Sequence, residues 1–96
     1  MATVGTQLYQ SVFNFAPNQT HFWVFNLTST TRIRTFYVKP LLISPQGAGN
    51  AIGMTEITRI RYSVKASEPF FQVFIDIFNP GALTINYEIW MGYIQP

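Results

Sequence analysis

The sequence predicts an all-β fold, a small two-sheet antiparallel β-sandwich of about six or seven strands, Ig-like or jelly-roll in type. Three observations carry this. Val, Ile, Thr, Phe, Tyr and Trp dominate the chain from end to end. No window holds a sustained 3.6-residue apolar rhythm. Turn signals recur about every eight to fifteen residues. A chain of 96 residues suits one domain, 1–96, large enough to bury a core without metal or disulfide. A closed small barrel is the second architecture.

The first predicted strand runs from about Gln7 to Phe15 and stops at Ala16-Pro17-Asn18-Gln19, where Pro followed by Asn suits the centre of a tight turn. The second runs from His21 to Leu27, with His21, Trp23, Phe25 and Leu27 on one face and Phe22, Val24 and Asn26 on the other. Both faces are largely apolar, which predicts a central strand. Thr28-Ser29-Thr30-Thr31 then reads as a turn, because its hydroxyls compete with ladder pairing.

A third strand is expected from Arg32 to about Val38. Lys39 to Gly53, broken by Pro40, Pro45, Gly47, Gly49 and Gly53, reads as a long loop, with Leu41-Leu42-Ile43 as a short strand switching between sheets. The fourth strand spans about Met54 to Val64 and is closed by Lys65-Ala66-Ser67-Glu68-Pro69.

The fifth, Phe70 to Phe78, has the clearest alternation: Phe71, Val73, Ile75 and Ile77 face the core, with Phe70, Gln72, Phe74, Asp76 and Phe78 opposite. A segment so apolar on both faces must be central or covered. Asn79-Pro80-Gly81-Ala82 signals a turn into a final strand, Leu83 to Ile94, and so predicts a hairpin of strands five and six. In that strand Leu83, Ile85, Tyr87, Ile89 and Met91 oppose Thr84, Asn86, Glu88 and Trp90. Phe71 to Ile94, around Asn79-Pro80-Gly81, resembles the last hairpin of bacterial Ig-like adhesion modules, in which an Asn-x-Gly turn joins two long strands. The resemblance covers about a quarter of the chain, implies the fold, and carries over no binding residue.

Composition narrows the function classes. Charged residues are only 10% of the chain, against the roughly 25% usual for soluble domains. Ser, Thr, Asn, Gln and aromatic side chains must therefore form much of the surface. Such a surface is poorly protected from association and predicts a homo-oligomer. A net charge of +2 is too small for a general nucleic-acid binder. The absence of cysteine excludes disulfides and thiolate zinc sites. Met1 to Gln7 has no basic region followed by an apolar run, so it does not read as a signal peptide, and no apolar stretch reaches the about 18 residues of a transmembrane segment. Cytoplasmic synthesis is expected, and later release or surface attachment is left open. Asn18-Gln19-Thr20 and Asn26-Leu27-Thr28 match a glycosylation pattern that matters only in a secreted chain.

Catalysis needs a positioned acid, base, nucleophile or metal, and the chain supplies one histidine and four carboxylates, Glu56, Glu68, Asp76 and Glu88, without a local motif. A non-catalytic protein without cofactor or metal is expected, with His21 as a structural histidine. The aromatic residues are more informative, since 17% exceeds what so small a core needs. Trp23, Trp90 and Tyr93 stand out. Trp90 shares its predicted face with Thr84, Asn86 and Glu88, a setting in which an indole can stack on a sugar while its neighbours bond to hydroxyls. The competing account is a subunit interface, favoured for Phe70, Phe74 and Phe78.

Thr-Arg-Ile-Arg occurs twice, at Thr31 to Arg34 and Thr58 to Arg61, and holds four of the six basic residues. Side by side, these strands would place Arg32, Arg34, Arg59 and Arg61 on one surface able to take up carboxylate, sulfate or phosphate. Separately, they are two solvated strand faces, which is the plainer account. The expected function is a lectin-like, oligomeric recognition or adhesion module for a carbohydrate or other polar or anionic surface ligand. The alternative is a self-assembling structural subunit of a fibre, shell or appendage.

Overall fold

The computed structural model describes residues 3–27, 33–43, 51–64 and 71–95. Six strands appear among them: β1 (Thr3–Phe15), β2 (Thr20–Leu27), β3 (Ile33–Leu41), β4 (Glu56–Val64), β5 (Phe71–Phe78) and β6 (Ile85–Gln95). They form two antiparallel three-stranded sheets, ordered β1-β6-β3 and β2-β5-β4. This is the expected all-β sandwich.

Alternation builds the core. Val73, Ile75 and Ile77 of β5 and Ile85, Tyr87, Ile89 and Met91 of β6 are buried, joined by Phe15, Leu27 and Phe36. Each fully buried large side chain contributes about 1.5–3 kcal/mol. Phe25 stacks on Phe36 across the sheets at 5.6 Å, and Tyr9 meets Phe25 edge-on at 4.7 Å. The apolar run of β5 occupies the centre of its sheet, as its two-sided apolar character requires.

Three expectations are corrected. Strands β5 and β6 do not pair; they lie at the centres of different sheets, so Asn79-Pro80-Gly81 is a corner between sheets and not a hairpin turn. The two core-facing rows of β5 and β6 instead meet in one core cluster between the sheets. Asn79 holds the corner: fully buried, it donates from Nδ2 to the carbonyls of Phe15 and Leu83, both at 3.0 Å, and accepts from the Gly81 N–H at 2.9 Å. The consecutive pair that does form a ladder is β4 with β5.

Strand β2 is an edge strand, not a central one. Strand β3 continues through Pro40 and Leu41, which the sequence reading placed in a loop. Proline is tolerated there because β3 is an edge and needs no second ladder donor. The turn at Ala16 to Gln19 forms as expected: Gln19 N–H donates to the Ala16 carbonyl at 3.2 Å, and Asn18 takes φ 64°, a conformation asparagine tolerates. The expected turns at 28–31 and 65–69, as well as Arg32 and Phe70, lie outside the described residues.

Candidate functional site

Because Ile89 and Met91 point into the core, Trp90 between them must point outward. Cross-strand register places Leu8 and Tyr37 on either side of it, since directly opposed residues share a face. The next row on one side is Ser11, Glu88 and Lys39, and on the other Thr6, Gly92 and Thr35. Trp90 Nε1 donates to Glu88 Oε1 at 3.2 Å, which holds the indole edge toward the polar row. Tyr37 and Leu8 are each 43% exposed, so the row is a surface platform.

Gly92 matters here because it has no side chain beside the indole. A Cβ added at Gly92 would lie 3.2 Å from Thr35 Cγ2. A cavity of about 340 Å³ farther toward this end of the sheet is lined by Gly5, Ile33, Arg34, Thr35, Gly92, Tyr93 and Ile94, and Trp90 is not part of its lining. Asn86 is also on the outer face, and its Oδ1 accepts from the Asn14 N–H at 3.1 Å. That bond secures the bulged end of β1, where Asn14 takes φ 59°. Glu88 and Trp90 are therefore the predicted residues that the structure brings together on the platform, with Asn86 one row beyond.

No family model matches the chain, and no curated protein or solved structure does. What the faces can bind is decided by their own chemistry.

The remaining candidates are dispersed. Trp23 points inward, where its Nε1 donates to Tyr87 Oη at 2.9 Å and its ring stacks beside Phe25. Tyr87 Oη also lies 2.6 Å from His21 Nδ1. The Tyr87 hydroxyl thus joins Trp23 and His21, accepting from the indole and sharing one hydrogen bond with the imidazole. Burial lowers the His21 pKa and raises that of Tyr87, the Trp23 hydrogen bond opposing the latter shift. These bonds tie His21 and Trp23, the latter expected as a ligand contact, into one inward network with Tyr87.

Tyr93 and Arg34 are cross-strand partners on the inner side, together with Gly5. The Tyr93 ring crosses Gly5 so closely that a Cβ there would come 2.5 Å from the hydroxyl. Arg34 is drawn inward by sharing a face with buried Phe36; its guanidinium lies 5.8 Å from the Phe71 ring centroid, with Nε and Nη1 buried and without hydrogen-bond partners among the described residues.

Arg59 and Arg61 are on the outer face of the other sheet, where Arg59 pairs with Asp76 at 3.6 Å and Arg61 lies 5.9 Å from the Phe74 centroid. The condition for a four-arginine surface is therefore not met, because β3 and β4 belong to different sheets and Arg34 faces in while Arg59 and Arg61 face out. Arg32 lies outside the described residues. Among the described residues no three His, Asp or Glu side chains gather to hold a metal ion.

Sequence reasoning missed Tyr37, Leu8, Lys39 and Gly92. Alternation from the apolar residues of the third strand points Tyr37 outward. Its position beside Trp90 depends on register, which no single strand encodes.

Proposed function

We propose that the chain is a non-catalytic recognition module that binds a carbohydrate on the outer face of β6. The observation that supports it most directly is the row Leu8-Trp90-Tyr37, an outward aromatic platform on a central strand, with the indole held by Glu88. A pyranose has C–H-rich faces and a hydroxyl rim. The platform supplies a flat apolar contact, and Glu88, Lys39, Ser11, Thr6 and Thr35 supply acceptors and donors around it. A single shallow site of this kind is weak, and an oligomer repeats it for avidity.

The test is a glycan-array screen of labelled protein at physiological salt, repeated with Trp90→Ala. Binding to a coherent group of sugars, reduced at least tenfold by the substitution with the β-sheet spectrum intact, is the expected result. Equal binding by the variant removes Trp90 from the site. A second reading, a self-assembling structural subunit, is favoured by the exposure of Phe22 and Val24 on the opposite sheet. Filaments or closed particles that form with rising concentration, from protein that binds no sugar, would replace the first reading with this one.

A further inference from the structure

Strand β2 has the composition of a central strand and the position of an edge. An open edge exposes unpaired N–H and C=O groups, and proteins protect such edges with charge, proline, glycine or bulges. Among the described residues, three of the four edge strands have such protection. Strand β1 has two register shifts and Gly5; β3 has Arg34, Lys39 and Pro40; β4 has Glu56, Arg59, Arg61 and a register shift after Ile57. Strand β2, Thr20-His21-Phe22-Trp23-Val24-Phe25-Asn26-Leu27, has no formal charge from Lys, Arg, Asp or Glu, no proline and no glycine, and it pairs with β5 without a shift. Its outward Phe22 and Val24 are 73% and 51% exposed.

We infer that β2 is the pairing edge for a second copy of this chain, antiparallel across a two-fold axis normal to the sheet, so that the two β2-β5-β4 sheets become one. The evidence for a copy of itself is the symmetry of the strand's own pattern. Outward residues read Thr20, Phe22, Val24, Asn26: polar, apolar, apolar, polar. Reversed, the pattern is unchanged, so in a two-fold antiparallel pairing, where residue i meets j and j meets i, apolar side chains oppose apolar ones and polar oppose polar. A two-fold axis normal to the sheet keeps outer faces together. With Trp23 opposite the partner subunit's Trp23, Phe22 lies against the partner subunit's Val24 and Thr20 against the partner subunit's Asn26. Four exposed apolar side chains then form one patch, and the unpaired backbone groups of both edges are satisfied. The inference takes up the oligomer part of the proposed function and is independent of the sugar platform, which lies on the other sheet.

The experiment is sedimentation of the full chain across the micromolar range, with Val24→Lys and with two single-cysteine variants, Phe22→Cys and Val24→Cys. The wild type is expected at twice the chain mass, and Val24→Lys at the monomer mass with an unchanged spectrum, its association weakened about tenfold or more. The chain has no cysteine, so crosslinks report only the new thiols. In the inferred register, opposed Cα atoms are about 4.5–5.5 Å apart, within disulfide reach. An oxidised mixture of the two cysteine variants should therefore crosslink, while neither does so alone. A wild type that stays monomeric, or a dimer that survives Val24→Lys with no crosslink in the mixture, overturns the inference. Sugar binding through Trp90, measured on the same samples, separates its failure from that of the carbohydrate reading.

Discussion

The outer faces of the two sheets follow the same alternation but differ in what is already satisfied within the chain. On β2-β5-β4, the central and β4 positions are matched internally: Arg59 with Asp76, Arg61 with Phe74, and Gln72 Nε2 with Asn26 Oδ1 at 2.9 Å. What remains uncovered is the edge, at Phe22 and Val24. On β1-β6-β3 the aromatic feature is instead at the centre, where half-buried Trp90 is held by one carboxylate between exposed Leu8 and Tyr37. An apolar group at an open edge invites another strand; one at the middle of a sheet offers a flat surface to a small ligand. Position within the sheet, more than residue type, separates the two roles.

The largest effect is expected where neither face is involved. Asn79→Ala leaves the Phe15 and Leu83 carbonyls without their amide donor in a buried corner and should lower unfolding stability by about 2–4 kcal/mol, read by urea denaturation. A loss below about 0.5 kcal/mol would mean that the corner is held by the backbone alone. Tyr87→Phe should cost about 1–2 kcal/mol, because it removes the acceptor of Trp23 Nε1 and the hydrogen-bond partner of His21. Sugar binding should be unchanged in Tyr87→Phe; a parallel loss would place Trp23 back among the ligand contacts.

The same network sets a pH dependence. His21 has its pKa lowered from the ordinary 6.5 by burial, so below that value the unfolded chain takes up more protons than the folded one. Stability should be flat above about 6.5 and decline as pH falls from there through the folded pKa. Replacing His21 by Gln should flatten that part of the profile. A stability that instead rises on acidification would mean that the folded protein favours the charged imidazolium, with Nδ1–H donating to Tyr87. The smallest effect is expected at Arg59→Gln, an exposed pair worth about 0.5 kcal/mol or less and screened by salt. A larger change that persists in high salt would show that the outer face of β4 is covered in solution.

Much of the fold was legible because strand formation and core facing are written locally. Phe71, Val73, Ile75 and Ile77 alternate with polar or mixed neighbours, as do Ile85, Tyr87, Ile89 and Met91, and the first row and the second both line the core. For the site, alternation alone put Trp90, Glu88 and Asn86 on one outward face. It misplaced Trp23 because the inner and outer faces of that strand are both aromatic, so nothing in the strand shows which is buried. The arginine surface was conditional on β3 and β4 being neighbours, a relation between segments that neither encodes.

The sequence by itself determined the class of structure, the strands, the inward rows of β5 and β6 and the scarcity of charge, since these follow from side-chain periodicity and composition. Only the tertiary structure decided that Asn79-Pro80-Gly81 turns between sheets, that β2 stands at an edge, and that Leu8 and Tyr37 flank Trp90. The physical reason is that alternation has a period of two along one strand and fixes which way a side chain points. Which strand lies next to it depends on long-range packing of whole faces, a choice made only when both sheets close on their common core.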